Sequence, residues 1–564
     1  MPAETGILGI GTEMDVEIPM RDGVLLRGNL WRPDGDGPFP ALLSRTPYGK
    51  STGVPQRLVR AGYAVMVQDS RGRYASDGEF TLFTHETKDP EDGHDTVEWL
   101  AAQSWCNGRV GTFGASYNGW MQWMTAKTRP PHLVAMCARS IPLELTDVDW
   151  QGAFRPARRM HWWLTTIAPD LRRRAGWPPP HTPAEARRIW HELEHGRWLG
   201  LLPWSEVARF LPPPLDQYAR DWLEHPGKRA WRFAEAHAEI EVPNLDFTGW
   251  YDHCLSIDHL AGMQRNGRTE RARTQSKAVI GPWSHATVGK RECLGLDFGP
   301  DADVDIADME LRWFDHWLKD IDNGVDREPP VRYFVMGAGQ WKSAPTWPPP
   351  GLEDTTFYLG SAGDAARPDG SGALSATPAS AVPADTYRYD PFDPVPTLWT
   401  TALMAGASDR RQLEHRRDIL VFRTPPLAAD LEIAGRPEVI LYAASSAPDT
   451  DFFAWLVDED PEGAALEVAC GMVRARHRNS REREDFLIPG EVTEFRIVLG
   501  HTACRFRAGH RLRLDISSSD FPNFDRNHNV GRNDLFDPEL AVAEQTLYHS
   551  DTYRSRLLLP GVAA

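Results

Sequence analysis

The stretch Gly111-Thr112-Phe113-Gly114-Ala115-Ser116-Tyr117-Asn118-Gly119-Trp120 reads as a strand end, a sharp turn carrying a serine, and a helix that starts at once. A serine hydroxyl becomes a useful nucleophile when such a turn holds it out beside a base and beside donors for a developing oxyanion. Gly114 and Gly119 supply the room that a strained turn packed under a helix needs. The spacing departs from the common G-x-S-x-G pattern, because the downstream glycine comes one residue late and Asn118 stands in its usual place. Taken alone, the stretch fits an ordinary glycine-rich turn equally well.

A base and an orienting carboxylate are offered by two other segments, Gly249-Trp250-Tyr251-Asp252 and Gly281-Pro282-Trp283-Ser284-His285. Each follows a short apolar run that reads as a buried strand. In an open parallel sheet the strands deliver their C-terminal ends to one edge, so Ser116, Asp252 and His285 can converge despite their separation in sequence. Singly, Asp252 reads as a turn former and His285 as one of 19 histidines. Three fitting residue types at three strand ends, in the chain order Ser, Asp, His, point to a catalytic triad of the α/β-hydrolase kind.

The elements that must position them alternate. Residues 14–31 read as two strands around the Asp22-Gly23 turn, followed by apolar strands at 41–45 and 63–68, a helix closing at Gly62 and another over 89–103. The strand at Val110, the Ser116 turn and a strand at 133–138 continue the pattern, which predicts a mainly parallel sheet covered on both faces. Residues 144–239 lack strand runs and are rich in tryptophan, arginine and proline clusters, as in a helical insertion. Strands resume at 243–249, 277–281 and 331–336, with a helix over 305–320. The proline-rich stretch 341–351 reads as a linker, and beyond it period-two runs predict a β-sandwich of jelly-roll type. The expected division is therefore core over 1–143 and 240–345, cap over 144–239 and jelly roll over 346–564.

Composition narrows the function. A chain of 564 residues is several domains long at about 150 residues each. The net charge of −17 argues against nucleic-acid binding, since phosphate contacts need a basic face. No stretch reaches the roughly 18 apolar residues of a membrane helix, and the N-terminus has no basic, apolar leader, so a cytoplasmic protein without membrane contact is expected. Cys106, Cys137, Cys254, Cys293, Cys470 and Cys504 are scattered without metal or disulfide spacing, so no metal or other cofactor is expected. A homo-oligomer is compatible with the sequence.

The three segments around Ser116, Asp252 and His285 resemble the signatures of the cocaine esterase and X-Pro dipeptidyl-peptidase S15 (CocE/NonD) family, whose own elbow carries the late glycine. Further likeness lies at 19–24, 45–50, 68–72, 75–80, 389–396 and 517–527, so the resemblance spans nearly the whole chain. It implies an α/β-hydrolase core, an inserted helical cap and a C-terminal jelly roll. It also implies Ser116 as nucleophile, His285 as base and Asp252 as orienting acid, with the Tyr48 hydroxyl and the Tyr117 backbone N–H forming the oxyanion hole. Trp150, Leu403 and Met404 fall where the family lines its substrate pocket, which favours uncharged acyl groups.

The resulting expectation is a serine hydrolase cleaving small-molecule carboxylic esters, with amides within its chemical reach. Two rivals stay open: an acylase or X-Pro dipeptidyl peptidase of the same family, and a binding protein with a vestigial hydrolase core. The family's ammonium-binding carboxylates have no match in His253-Cys254-Leu255, although Glu144, Asp147 and Asp149 stand at the cap entrance. The cap arginines Arg155, Arg158, Arg159, Arg172, Arg173, Arg174, Arg187 and Arg188 would suit an anionic acyl group if they faced the pocket, and a solvated basic face otherwise.

Overall fold

A computed structural model describes residues 9–35, 37–82, 87–144, 152–224, 236–252, 256–380, 382–398 and 408–562. The core is built on β1 (Ile10–Pro19), β2 (Leu25–Pro33), β3 (Phe39–Thr46), β4 (Ala64–Asp69), β5 (Cys106–Ala115) and β6 (Leu133–Arg139), in the order β1-β2-β4-β3-β5-β6. The first hairpin turns at Gly23, whose φ of 84° is cheap for glycine alone. β1 and β2 are antiparallel, while β3 pairs in parallel with β4 and β5, and β5 with β6.

The sheet then continues into β7 (Leu245–Gly249), β8 (Lys277–Gly281) and the strand Val331–Val335, all parallel. Asn244 joins the two halves: its side-chain oxygen accepts from Ala138 N at 2.8 Å and its amide donates to Ala138 O at 3.2 Å. Where a linker was expected from residue 341, Gln340–Ala344 instead forms an antiparallel edge strand on Val331–Val335. Glycines at 337 and 339, with φ of 73° and 65°, turn the chain back before the proline cluster begins.

Alternation along the strands sorts side chains to two faces. On β3, Ala41 and Leu43 join the core beneath α2 (Asp89–Ala101) and α3 (Tyr117–Ala126), whereas Leu42 joins the core beneath the helix Ile306–Lys319. Burying each such leucine contributes about 1.5–3 kcal/mol. Trp313 of the latter helix donates to Met136 O at 3.0 Å, locking the helix to the sheet.

Between β6 and β7 lies the helical cap. It includes Pro156–His161, a π-helical turn at Trp162–Ile167, Ala168–Arg174, Pro183–Ile189 and Leu215–Glu224. After the core comes a β-sandwich whose strands run from Leu352–Gly360 to Arg556–Val562. It is fastened to the cap by Asp525 N to Phe154 O, Ala157 N to Pro522 O and Ser205 N to Leu535 O, at 2.8, 3.1 and 3.0 Å. Among the described residues, no helix is long and apolar enough to cross a membrane.

Candidate active site

Ser116 sits between β5 and α3 at φ 58° and ψ −127°, a conformation that costs an L-residue energy and recurs at functional sites. The surrounding packing holds it there. Ser116 N donates to Arg139 O at 3.0 Å, and a Cβ on Gly119 would meet that same carbonyl at 2.8 Å. At Gly114, with φ 138°, a Cβ would meet Asn118 Cβ at 2.7 Å. Gln122, one turn into α3, donates to Gly114 O and Cys137 O at 3.1 and 3.2 Å, pinning the helix over both strand ends. The late glycine is thus explained: residue 119, not 118, faces the end of β6.

Asp252 and His285 come from the neighbouring strand ends. Gly249 passes so close to Trp283 that a Cβ would meet Trp283 O at 2.0 Å, and Tyr251 N donates to that carbonyl at 3.0 Å. The two loops are in this way one unit, and in it His285 Nδ1 lies 2.8 Å from Asp252 Oδ1. The Asp252 side chain is fully buried while His285 keeps 14% of its side chain exposed. Such a bond fixes the imidazole tautomer and leaves Nε2 for a hydroxyl. Beneath the loop, buried Asp246 receives Ser140 N at 3.2 Å, and burial pushes its carboxyl up to about 7.

Tyr48 stands at the tip of the loop after β3. Burial raises the proton affinity of its hydroxyl, while the polar side chains of Trp162 and Ser116 beside it and the charges of Arg159 and Arg158 oppose the rise. Its ring meets the Tyr117 ring edge-on, with centroids 6.2 Å apart. Tyr117 opens α3, so its N–H belongs to the helix's first turn, where acceptors lie outside the helix. A phenol and a backbone amide thus converge beside one serine, an arrangement suited to an oxyanion.

Other expected residues fall differently. Trp150, Leu403, Met404, Asp147, Asp149 and 253–255 lie outside the described residues. Of the cap arginines, Arg155 is buried, bonded to Asn523 and over the Phe524 ring, and Arg159 is buried between Trp162 and Trp222. Arg173 pairs with Asp170, Arg174 donates to Ser76 O, and Arg172 donates to Pro178 O. Arg187 and Arg188 are exposed. Sequence reasoning missed Arg73, whose Nε donates to Pro47 O beside Tyr48, and Trp162, which stacks on Tyr117. The signal available for Arg73 was its place beside the 68–72 motif. Among the described residues, no group of three or more His, Cys, Asp or Glu could hold a metal ion.

Comparison with known proteins shows the family and the fold. Residues 22–287 match the X-Pro dipeptidyl-peptidase (S15 family), and residues 323–558 match the X-Pro dipeptidyl-peptidase C-terminal non-catalytic domain. An α-amino acid ester hydrolase has the same fold, with a TM-score of 0.74 at 24% identity over 100% of this chain and 98% of the other. So does an aminopeptidase from a marine-sediment Thaumarchaeota archaeon, with a TM-score of 0.75 at 24% identity over 100% and 99%. Cocaine esterase of Rhodococcus sp. (strain MB1 Bresler) is 34% identical over 97% of this chain and 98% of that protein. On these matches the chain belongs to the cocaine esterase and X-Pro dipeptidyl-peptidase S15 family of serine hydrolases.

Proposed function

We propose that the protein hydrolyses small carboxylic esters by double displacement, with Ser116 as nucleophile, His285 as base and then acid, and Asp252 as the carboxylate that orients the imidazole. His285 Nε2 takes the Ser116 proton as Oγ attacks the ester carbonyl. The carbonyl oxygen becomes an oxyanion that accepts from the Tyr48 hydroxyl and the Tyr117 N–H. His285 then returns the proton to the leaving alcohol, giving an acyl-enzyme, and activates the water that releases the acid.

The observation that carries this reading is the 2.8 Å Asp252–His285 bond, on the sheet edge where Ser116 holds a left-handed turn. Tyr48, Tyr117 and Trp162 give the site aromatic walls, which favour uncharged acyl groups. The burial of Arg155 and Arg159 against aromatic rings supports the same preference over an anionic acyl group. The scattered cysteines, without disulfide spacing, support a cytoplasmic site of action. We keep the division into core, cap and sandwich near residues 144, 240 and 346, with the edge strand ending at Ala344 in support of the last.

Steady-state hydrolysis of acyl and benzoyl nitrophenyl esters, beside glutaryl and aminoacyl anilides, tests the reading. Uncharged esters are expected to lead. A lead by aminoacyl anilides would replace the ester reading with the peptidase one, and a lead by glutaryl anilide with the acylase one.

A further inference from the structure

One strand of the β-sandwich reaches the segment that carries Asp252. Ala465–Arg474 pairs in the sheet on one side, with Asp451–Glu459, and its register shifts there between Leu456 and Val457. On its other side it faces the core, where buried main-chain groups need partners that no further strand supplies. Glu467, itself buried, finds both: its N–H donates to Ser408 O at 3.0 Å, and its carbonyl accepts from the Tyr251 hydroxyl at 3.0 Å. Tyr251 is buried and immediately precedes Asp252. The same hydroxyl lies 3.3 Å from Met336 Sδ, where the core strand Val331–Val335 ends. There Met336 N donates to Ala503 O at 2.9 Å and Arg505 N to Met336 O at 2.8 Å, so core and sandwich are joined through main chain around the tyrosine.

The sandwich also holds the chain beyond Asp252. Trp347 Nε1 donates to His501 Nδ1 at 3.0 Å. An indole N–H can only donate, so His501 carries its proton on Nε2, and it gives that proton to Asp258 Oδ1 at 3.1 Å. Asp258 stands in the first turn of the helix Ile257–Asn266. In sequence, Asp252 thus lies between two residues that the sandwich fastens. Within the core, Tyr251 N donates to Trp283 O at 3.0 Å, two residues before His285, and Trp250 Nε1 donates to Phe334 O at 2.8 Å. A shift of Tyr251 is therefore passed to both partners of the Asp252–His285 bond.

We infer that Tyr251 is a positioning residue of the proposed triad: its hydroxyl, bonded to the Glu467 carbonyl and seconded by the His501–Asp258 bond, lets the C-terminal sandwich set where Asp252 meets His285. Tyr251 does not touch the reacting atoms in this role. The domain matched by a non-catalytic family model then takes part in the geometry of catalysis. A misplacement of about 1 Å from a change far from the chemistry can cost about 10²-fold, and losing one tether among several costs less. The inference rests on the ester-hydrolase reading above, which gives Asp252 its role.

The test is a double-mutant cycle on nitrophenyl ester hydrolysis by the full chain, with thermal unfolding of each variant as a folding control. Tyr251→Phe keeps the ring and loses the hydroxyl. It is expected to lower kcat about 3- to 10-fold, the worth of one neutral hydrogen bond, with KM nearly unchanged. Asp258→Ala, at a partly exposed position, releases the other tether and is expected to lower kcat by about 2- to 5-fold. It carries the test should Tyr251→Phe fail to fold. In an Asp252→Asn background neither change is expected to lower the residual kcat further. Wild-type kcat in the folded single variants, an effect on KM alone, or a loss of equal size in both backgrounds would overturn the inference. Full activity in Ser116→Ala would instead overturn the hydrolase reading beneath it, which separates the two failures.

Discussion

His285 Nδ1 and Asp252 Oδ1 are 2.8 Å apart, and the carboxylate that makes this bond is wholly buried. A buried acceptor on Nδ1 keeps that nitrogen protonated and leaves Nε2 as the base. Replacing Asp252 by Asn would put an amide there and favour the opposite tautomer. The expected outcome is a fall in kcat of about 10³–10⁴ with substrate binding largely kept. Steady-state kinetics with an unfolding control would show it, and a loss below tenfold would mean that Asp252 does not orient His285 in turnover.

Gly119 is where the elbow has least room, with the Arg139 carbonyl 2.8 Å from where a Cβ would stand. Backbone cannot yield as a flexible side chain does, so Gly119→Ala must shift α3 or the end of β6. Overpacking of this kind costs about 1–3 kcal/mol. Chemical denaturation is expected to show that loss, together with lowered kcat as Ser116 leaves its turn. Unchanged stability would mean that the elbow has slack.

Arg73 ties Pro47 to Ile167 and lies 3.7 Å from buried Asp170. Arg73→Met would fill the space and release both carbonyls, leaving Asp170 without that cation. Asp170 keeps Arg173 at 2.6 Å, so the loss comes from the two carbonyls left unsatisfied, about 1–3 kcal/mol each. We expect a lowered unfolding midpoint, faster proteolysis within the cap, and reduced kcat in the fraction that remains folded. Cap proteolysis at the wild-type rate would contradict a clamping role.

Acidification tests a second junction between cap and core. His237 Nε2 lies 3.1 Å from His259 Nδ1, and the His259 ring stacks on Trp123 at 4.3 Å. Burial, with Arg265 adding to it, pushes His237 down to about 4, and burial with His237 beside it pushes His259 down. The unfolded chain takes up protons near pH 6.5 while the folded chain refuses them. Stability should therefore be full above pH 6.5 and fall as pH drops toward about 4, by about 1.4 kcal/mol per pH unit for each proton involved. Denaturation curves between pH 7.5 and pH 5 would show this slope, and His237→Gln should flatten it. Identical slopes in both proteins would exclude His237 as a cause.

The strand ends that carry the proposed triad were legible because buried parallel strands leave continuous apolar runs, and Ser116, Asp252 and His285 each follow one. The β-sandwich was legible from its period of two. The edge strand at Gln340–Ala344 was hidden by prolines that begin only after it, and by glycines whose turn is visible from φ alone. The fate of the cap arginines was not legible either, because a charged residue in a helix reads as solvated until tertiary packing covers it. Arg159 is covered by Trp162 and Trp222, which no local pattern encodes. The bracing of Tyr48 was hidden for the same reason: Arg73 meets Ile167 across 94 residues.

The most direct test of the account is to label the protein with a fluorophosphonate and map the adduct by mass spectrometry, in wild type and in Ser116→Ala. The account predicts one adduct, on Ser116, that abolishes ester hydrolysis, and neither labelling nor turnover in the variant. An adduct on another serine, or turnover undiminished in Ser116→Ala, would contradict it.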